Sequence, residues 1–132
     1  MVTNLSAMSE PTSETTTTQE LSAEQAAAKV SSDEAQLVDV RRDHEFEAGH
    51  IAGAIHIPLD SLPARAGELD QERPIIFQCK TGSRSAMATD AFRESGIEAY
   101  NLAGGIEAWV EAGKPIEPAD GRIADSARKD NS

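Results

Sequence analysis

Short apolar runs that alternate with helix-patterned stretches constrain the fold of this chain most. QLVDV (36–40), AIHIP (54–58), PIIF (74–77) and AYNLAG (99–104) carry β-branched and aromatic residues and are only long enough for strands. Between them the period changes. Ser22 followed by Gln25 reads as a capping box, with Leu21 as its staple, and predicts a helix through about Val30. DSLPARAGEL (60–69) predicts a short helix with Pro63 near its start. Ala88, Ala91 and Phe92 share one face of a helix predicted from Ser83 to about Glu94, which Gly96 ends. Ile106, Trp109 and Val110 recur at helical spacing before Gly113 and Pro115, and Trp109 reads as core packing. Strands alternating with helices at these lengths predict an α/β domain built on a mostly parallel sheet.

The alternation occupies 21–118, which is expected to be one domain; 132 residues suffice for one core but not for two ordinary ones. Residues 1–20 are rich in Ser, Thr and Glu and read as a disordered N-terminal segment, and 119–132 read as a flexible C-terminal tail. The first twenty residues have neither a basic start nor an apolar stretch, so no signal peptide is expected. No run approaches the roughly 18 apolar residues a membrane helix needs, and a cytoplasmic location is the expectation. Twelve Lys and Arg against 23 Asp and Glu give a net charge of −11. An acidic body repels nucleic acid and anionic membranes, so neither is an expected partner.

One cysteine, Cys79, cannot form an internal disulfide or a cysteine-based zinc site. A lone cysteine is commonly a small buried hydrophobe, so its neighbours decide its role. In PIIFQCKTGSRS (74–85) it ends an apolar strand and precedes a helix, the edge at which open α/β sheets bind ligands. Gly82 allows the backbone N–H groups of the loop to turn inward, and small Thr81 and Ser83 leave room. The helix start favours an anion there, and Lys80 and Arg84 add two cations. A free thiol, with a pKa near 8.5, is only about 3% ionised at pH 7, and such surroundings raise that fraction. Cys79 therefore reads as a nucleophile.

CKTGSRS (79–85) resembles the active-site loop of the rhodanese-like sulfurtransferases. LVDVRRDHEFEAGHIAGAIHIPL (37–59) resembles the first signature of that family, and NLAGGIEAW (101–109) its closing signature, in the same order. The resemblance implies a small α/β domain with a central, mostly parallel five-stranded sheet flanked by helices. It implies no cofactor. It also implies a double displacement in which Cys79 takes sulfur from a small anionic donor such as thiosulfate and yields it to a thiol, a protein thiol or cyanide. Lys80 and Arg84 would attract the donor, while Thr81, Gly82 and Ser83 complete the loop. Arg41 would lie near the rim in a supporting role. Many thiosulfate-using relatives carry arginine where this chain has Lys80, which keeps the charge and loses the planar two-point contact.

Three other readings compete. Phosphatases and arsenate reductases on a similar fold place five residues between Cys and Arg; here only four separate Cys79 from Arg84, which favours sulfur transfer. A non-catalytic binding module would have no need of Cys79 and both cations. A persulfide carrier serving one protein acceptor stands between these. Elsewhere Asp39, Arg41, Arg42 and Asp43 read as a surface turn with local ion pairs, and Glu45 and Glu47 as helix-surface charge. His50 and His56 read as structural and His44 as exposed; three scattered histidines offer no metal-ligand spacing, so no metal site is expected.

Overall fold

The computed structural model describes residues 19–125. The runs predicted as strands supply β2 (Gln36–Asp39), β4 (Ile55–His56), β5 (Ile75–Gln78) and β6 (Ala99–Leu102), while β1 (Glu20–Leu21) and β3 (His50–Ile51) are additional short pieces. The helices are α1 (Ala23–Ser31), α2 (Asp43–Ala48), α3 (Leu62–Arg65, flanked by 3-10 turns), α4 (Ser83–Glu94) and α5 (Gly105–Glu111). A last strand, β7 (Ile116–Glu117), pairs antiparallel with β3. The capping box at Ser22 is formed, with Gln25 N–H donating to Ser22 Oγ and Ser22 N–H donating to Gln25 Oε1.

The central sheet has the order β1-β6-β5-β2-β4, and all of its pairings are parallel. Alternation within the buried strands divides the core into two halves. Val38, Ile75, Phe77 and Ala99 face Leu62, Ala88 and Phe92 of α3 and α4. Leu37, Ile76 and Leu102 face Ala23, Ala26, Ile106 and Trp109 of α1 and α5. Helices thus cover both faces, which leaves the carboxyl edge of the sheet as the place where loops gather. Among the described residues no helix is long and apolar enough to cross a membrane.

Two packing details bear on the ends. Glu20, assigned from the sequence to the N-terminal segment, lies in β1 in register with Asn101. The described part of the expected tail, 119–125, runs back along α2. Arg122 N–H donates to Ala48 O, Ala124 is buried, and His44 Nε2 lies 2.9 Å from Asp125 O. That contact leaves His44 half-buried, where the sequence suggested exposure. The segment has no core periodicity because it is held by backbone hydrogen bonds and by two adjacent residues, Ile123 and Ala124, too few to make a period. Residues 1–18 and 126–132 lie outside the described residues.

Candidate active site

Cys79 is the first residue beyond β5, and its side chain is fully buried. Gly82, with φ of +107°, turns the loop into α4 in the left-handed region that glycine tolerates. The turn aims donors at the sulfur. Gly82 N–H is 3.1 Å from Sγ, Ser85 N–H 3.4 Å and Ser85 Oγ 3.3 Å. Burial pushes the thiol pKa up. The Ser85 hydroxyl, followed by the backbone N–H groups of Ser85, Gly82 and Thr81, outweighs it, and the net direction is down. The side chains of Thr81 and Ser83 are exposed, so among these small residues the loop uses backbone.

The carbonyls at the start of the loop, Cys79 O and Lys80 O, point away from the sulfur and need partners of their own. Those partners are at the start of α5. Ile106 N–H donates to Cys79 O at 2.9 Å and Glu107 N–H to Lys80 O at 3.2 Å. Gly105 makes this approach feasible, since a Cβ there would stand 2.4 Å from both carbonyl oxygens, and its φ is +61°. Gln78 Nε2 gives Cys79 O a second donor at 2.8 Å.

The cations differ from the sequence reading. Arg84 is not a free loop charge: both of its terminal nitrogens contact the Glu45 carboxylate at 2.9 Å. Glu45, read from the sequence as helix-surface charge, is fully buried and also accepts the Arg42 N–H at 3.0 Å. Burial pushes the Glu45 pKa up, but the Arg84 hydrogen bonds, the Arg42 N–H and the charges of Arg84 and Arg41 bring it down overall. Lys80 Nζ lies 3.6 Å from Asp125 and 4.0 Å from Glu107.

Arg41 is not at a rim. It and Asp39 are fully buried, and its guanidinium binds the Asp39 carboxylate at 2.7 Å and Gly49 O at 2.8 Å. Of the expected surface turn, Arg42 and Asp43 are exposed, whereas Asp39 and Arg41 form a buried ion pair in which Asp39 also accepts the Arg41 N–H. His50 and His56 are structural as read: their rings stack on Phe46 at 3.8 and 4.3 Å, and each has a nitrogen against a backbone carbonyl. Ser85 and Asn101 were missed. Ser85 was visible only as the residue after Arg84, and Asn101 only as part of a signature, yet both stand behind the sulfur.

A cavity of about 450 Å³ lies between α3 and α4, lined by Leu62, Ala66, Met87, Ala91 and Ile97, but Cys79 does not line it. A buried thiol on a strand end, ringed by donors that bring its pKa down, has the surroundings that a nucleophilic cysteine needs, here on a parallel α/β sheet.

The Rhodanese-like domain family model matches residues 22–112, and the chain belongs to that family. It is 45% identical over 76 residues to YqhL of Bacillus subtilis, covering 57% of this chain and 60% of that protein. A protein of Allochromatium vinosum named sulfurtransferase is 35% identical over 86 residues, covering 64% of this chain and 80% of its own. The crystal structure of a rhodanese-related protein from Thermoplasma volcanium superposes with a TM-score of 0.69 at 28% identity, over 74% of this chain and 96% of that one. The chain thus spans less than two thirds of the length of YqhL.

Proposed function

We propose that this chain is a sulfurtransferase that moves a sulfane sulfur from thiosulfate or a similar anion through a persulfide on Cys79. The observation that carries this reading is the set of Gly82 N–H, Ser85 N–H and Ser85 Oγ within 3.4 Å of one buried sulfur. In the first half-reaction the Cys79 thiolate attacks the outer sulfur of thiosulfate. The sulfur–sulfur bond of the donor breaks, sulfite leaves with its electron pair, and Cys79–S–S⁻ remains. Inward N–H groups stabilise that anion without moving. In the second half-reaction an acceptor thiol, free or on a protein, takes the outer sulfur as its own persulfide and returns Cys79 to thiolate; cyanide in an assay leaves as thiocyanate. The name of the A. vinosum relative supports this reaction class. The reading includes a cytoplasmic setting, where reductants keep a lone thiol free.

Mass spectrometry after incubation with thiosulfate, with no acceptor present, tests the reading. The protein is expected to gain one sulfur atom, cyanide to remove it, and Cys79→Ser to show neither event. Unchanged masses across several sulfur donors would refute catalysis and favour a binding module, and hydrolysis of an aryl phosphate would favour a phosphatase.

A further inference from the structure

Behind the reacting sulfur lies a chain of side chains whose hydrogens do not match its acceptors. Asn101, in β6, is fixed through its amide nitrogen: Nδ2 donates to Gly82 O at 3.0 Å and to the Glu20 carboxylate at 3.2 Å. Both amide hydrogens are used, so Oδ1 must face Ser85, whose Oγ is 2.6 Å away. The same Oγ is 3.3 Å from Cys79 Sγ. Ser85 and Asn101 are buried, so water does not supply a substitute donor at will. A hydroxyl has one proton, and two acceptors face it.

We infer that Asn101 is a positioning residue for the reacting sulfur: its side-chain carbonyl competes with the Cys79 thiolate for the single proton of the Ser85 hydroxyl. While Cys79 is a thiol, the chain closes, with S–H donating to Ser85 Oγ and Oγ–H donating to Asn101 Oδ1. When the thiol ionises, the hydroxyl turns to the sulfur and Asn101 Oδ1 loses its donor. A buried acceptor without a donor is unfavourable, so Asn101 holds the thiolate less stable than the loop alone would. Sulfur loading relieves the conflict. In Cys79–S–S⁻ the charge sits on the outer sulfur, the inner sulfur is a poor acceptor, and the hydroxyl returns to Asn101. Asn101 therefore favours the loaded form over the free thiolate and leaves the thiolate a stronger nucleophile.

The surrounding charges each have a partner of their own. Arg84 of α4 is held by Glu45 of α2, Lys80 by Glu107 and Asp125, and Arg41 by Asp39 of β2. Glu20 of β1 joins the chain of side chains at Asn101.

The inference rests on Cys79 as the reacting sulfur. Its test uses no sulfur donor, so its failure is separate from failure of the sulfur-transfer reading. Thiolate absorbance and the rate of iodoacetamide alkylation against pH give the midpoint of Cys79 in the parent, Asn101→Leu, Ser85→Ala and the double variant. Ser85→Ala is expected to raise the midpoint. Asn101→Leu is expected to lower it, with alkylation below the parent midpoint faster by roughly two- to tenfold, the range one hydrogen bond gives. In the Ser85→Ala background the Asn101 effect is expected to vanish, which a loosened loop would not produce. A midpoint unchanged or raised by Asn101→Leu, or lowered equally without Ser85, would overturn the inference. Should Asn101→Leu not fold, the side-chain carbonyl carbon of Asn101 in the parent serves instead. Its NMR shift is expected to titrate with Cys79 and to lose that step in Ser85→Ala. A carbonyl shift that stays flat through the parent titration, or keeps the full step in Ser85→Ala, would overturn the inference equally.

Discussion

Replacing Arg84 by alanine would strip the buried carboxylate of Glu45 of its ion-pair partner. Breaking a fully buried pair from one side costs about 3–5 kcal/mol. Two observations reduce that figure here: the Arg84 side chain is 25% exposed, and Glu45 keeps the Arg42 N–H at 3.0 Å. Roughly 2–3 kcal/mol is then expected. With a urea m-value of about 1.3 kcal/mol/M, the midpoint falls by about 1.5–2.3 M. Glu45→Gln leaves a cation that can reach water and keeps an acceptor, so its loss is smaller, about 1 kcal/mol. The sign of the pH dependence follows from burial. In the parent, the net lowering of the Glu45 pKa contributes stability that is present above the ordinary carboxylate range and lost as pH falls through the folded-state value. In Arg84→Ala the burial that opposes ionisation remains while the arginine does not, so the carboxyl takes up a proton more readily. The destabilisation is therefore larger at pH 7.5 than near pH 4. Urea unfolding followed by the fluorescence of Trp109, the single tryptophan, measures both. A loss below about 0.5 kcal/mol at pH 7.5, or one indifferent to pH, would show that Glu45 does not depend on Arg84.

Gly105→Ala places a methyl group 2.4 Å from the carbonyl oxygens of Cys79 and Lys80. The loop must shift, and sulfur loading followed by mass is expected to slow by about a hundredfold while the cooperative unfolding transition survives. Truncation after Pro118 removes buried Ala124, the Arg122 N–H to Ala48 O bond and the Asp125 contact with Lys80. A loss of about 1–2 kcal/mol is expected, which thermal unfolding reads as a fall of roughly 5–15 °C; an unchanged melting temperature would show that 119–125 adds nothing to the domain.

β2, β5 and β6 were legible as short apolar runs and α4 and α5 by a periodic apolar face, and Ser22 and Gln25 mark the start of α1 with their own side chains; the two-residue strands β1, β3 and β7 are too short to leave a pattern. Cys79 was legible as a candidate because it ends an apolar strand and opens a short glycine-containing loop. Glu45 was not. Within its helix it is one acid among Asp43 and Glu47, and only the fold brings Arg84, 39 positions later, to meet it. Asp39 and Arg41 misled for a related reason: two opposite charges at a strand end match a solvated turn as well as a buried pair, and Gly49 O, which helps bury the guanidinium, lies beyond the next helix. The function of Gly105 was hidden because it acts on carbonyls rather than side chains. Such contacts leave only a glycine in the sequence.

An acidic chain that stabilises an anion is less contradictory than its charge suggests. Both loop cations are partnered by carboxylates, so the neighbourhood of Cys79 carries little free positive charge despite Lys80 and Arg84. What remains is dipolar: the Gly82 N–H, the Ser85 N–H in the first turn of α4, and the Ser85 hydroxyl, all within 3.4 Å of the sulfur. Dipoles act over about that distance and fade within a turn, whereas the acids of the body act at longer range through solvent and are screened there. The ion pairs then hold the dipoles in place. Glu45 fixes Arg84 and with it the second residue of α4, next to Ser85, while Glu107 joins α5 to Lys80 through both its backbone and its carboxylate. Charge in this site serves mainly to fix geometry, and the geometry supplies the stabilisation.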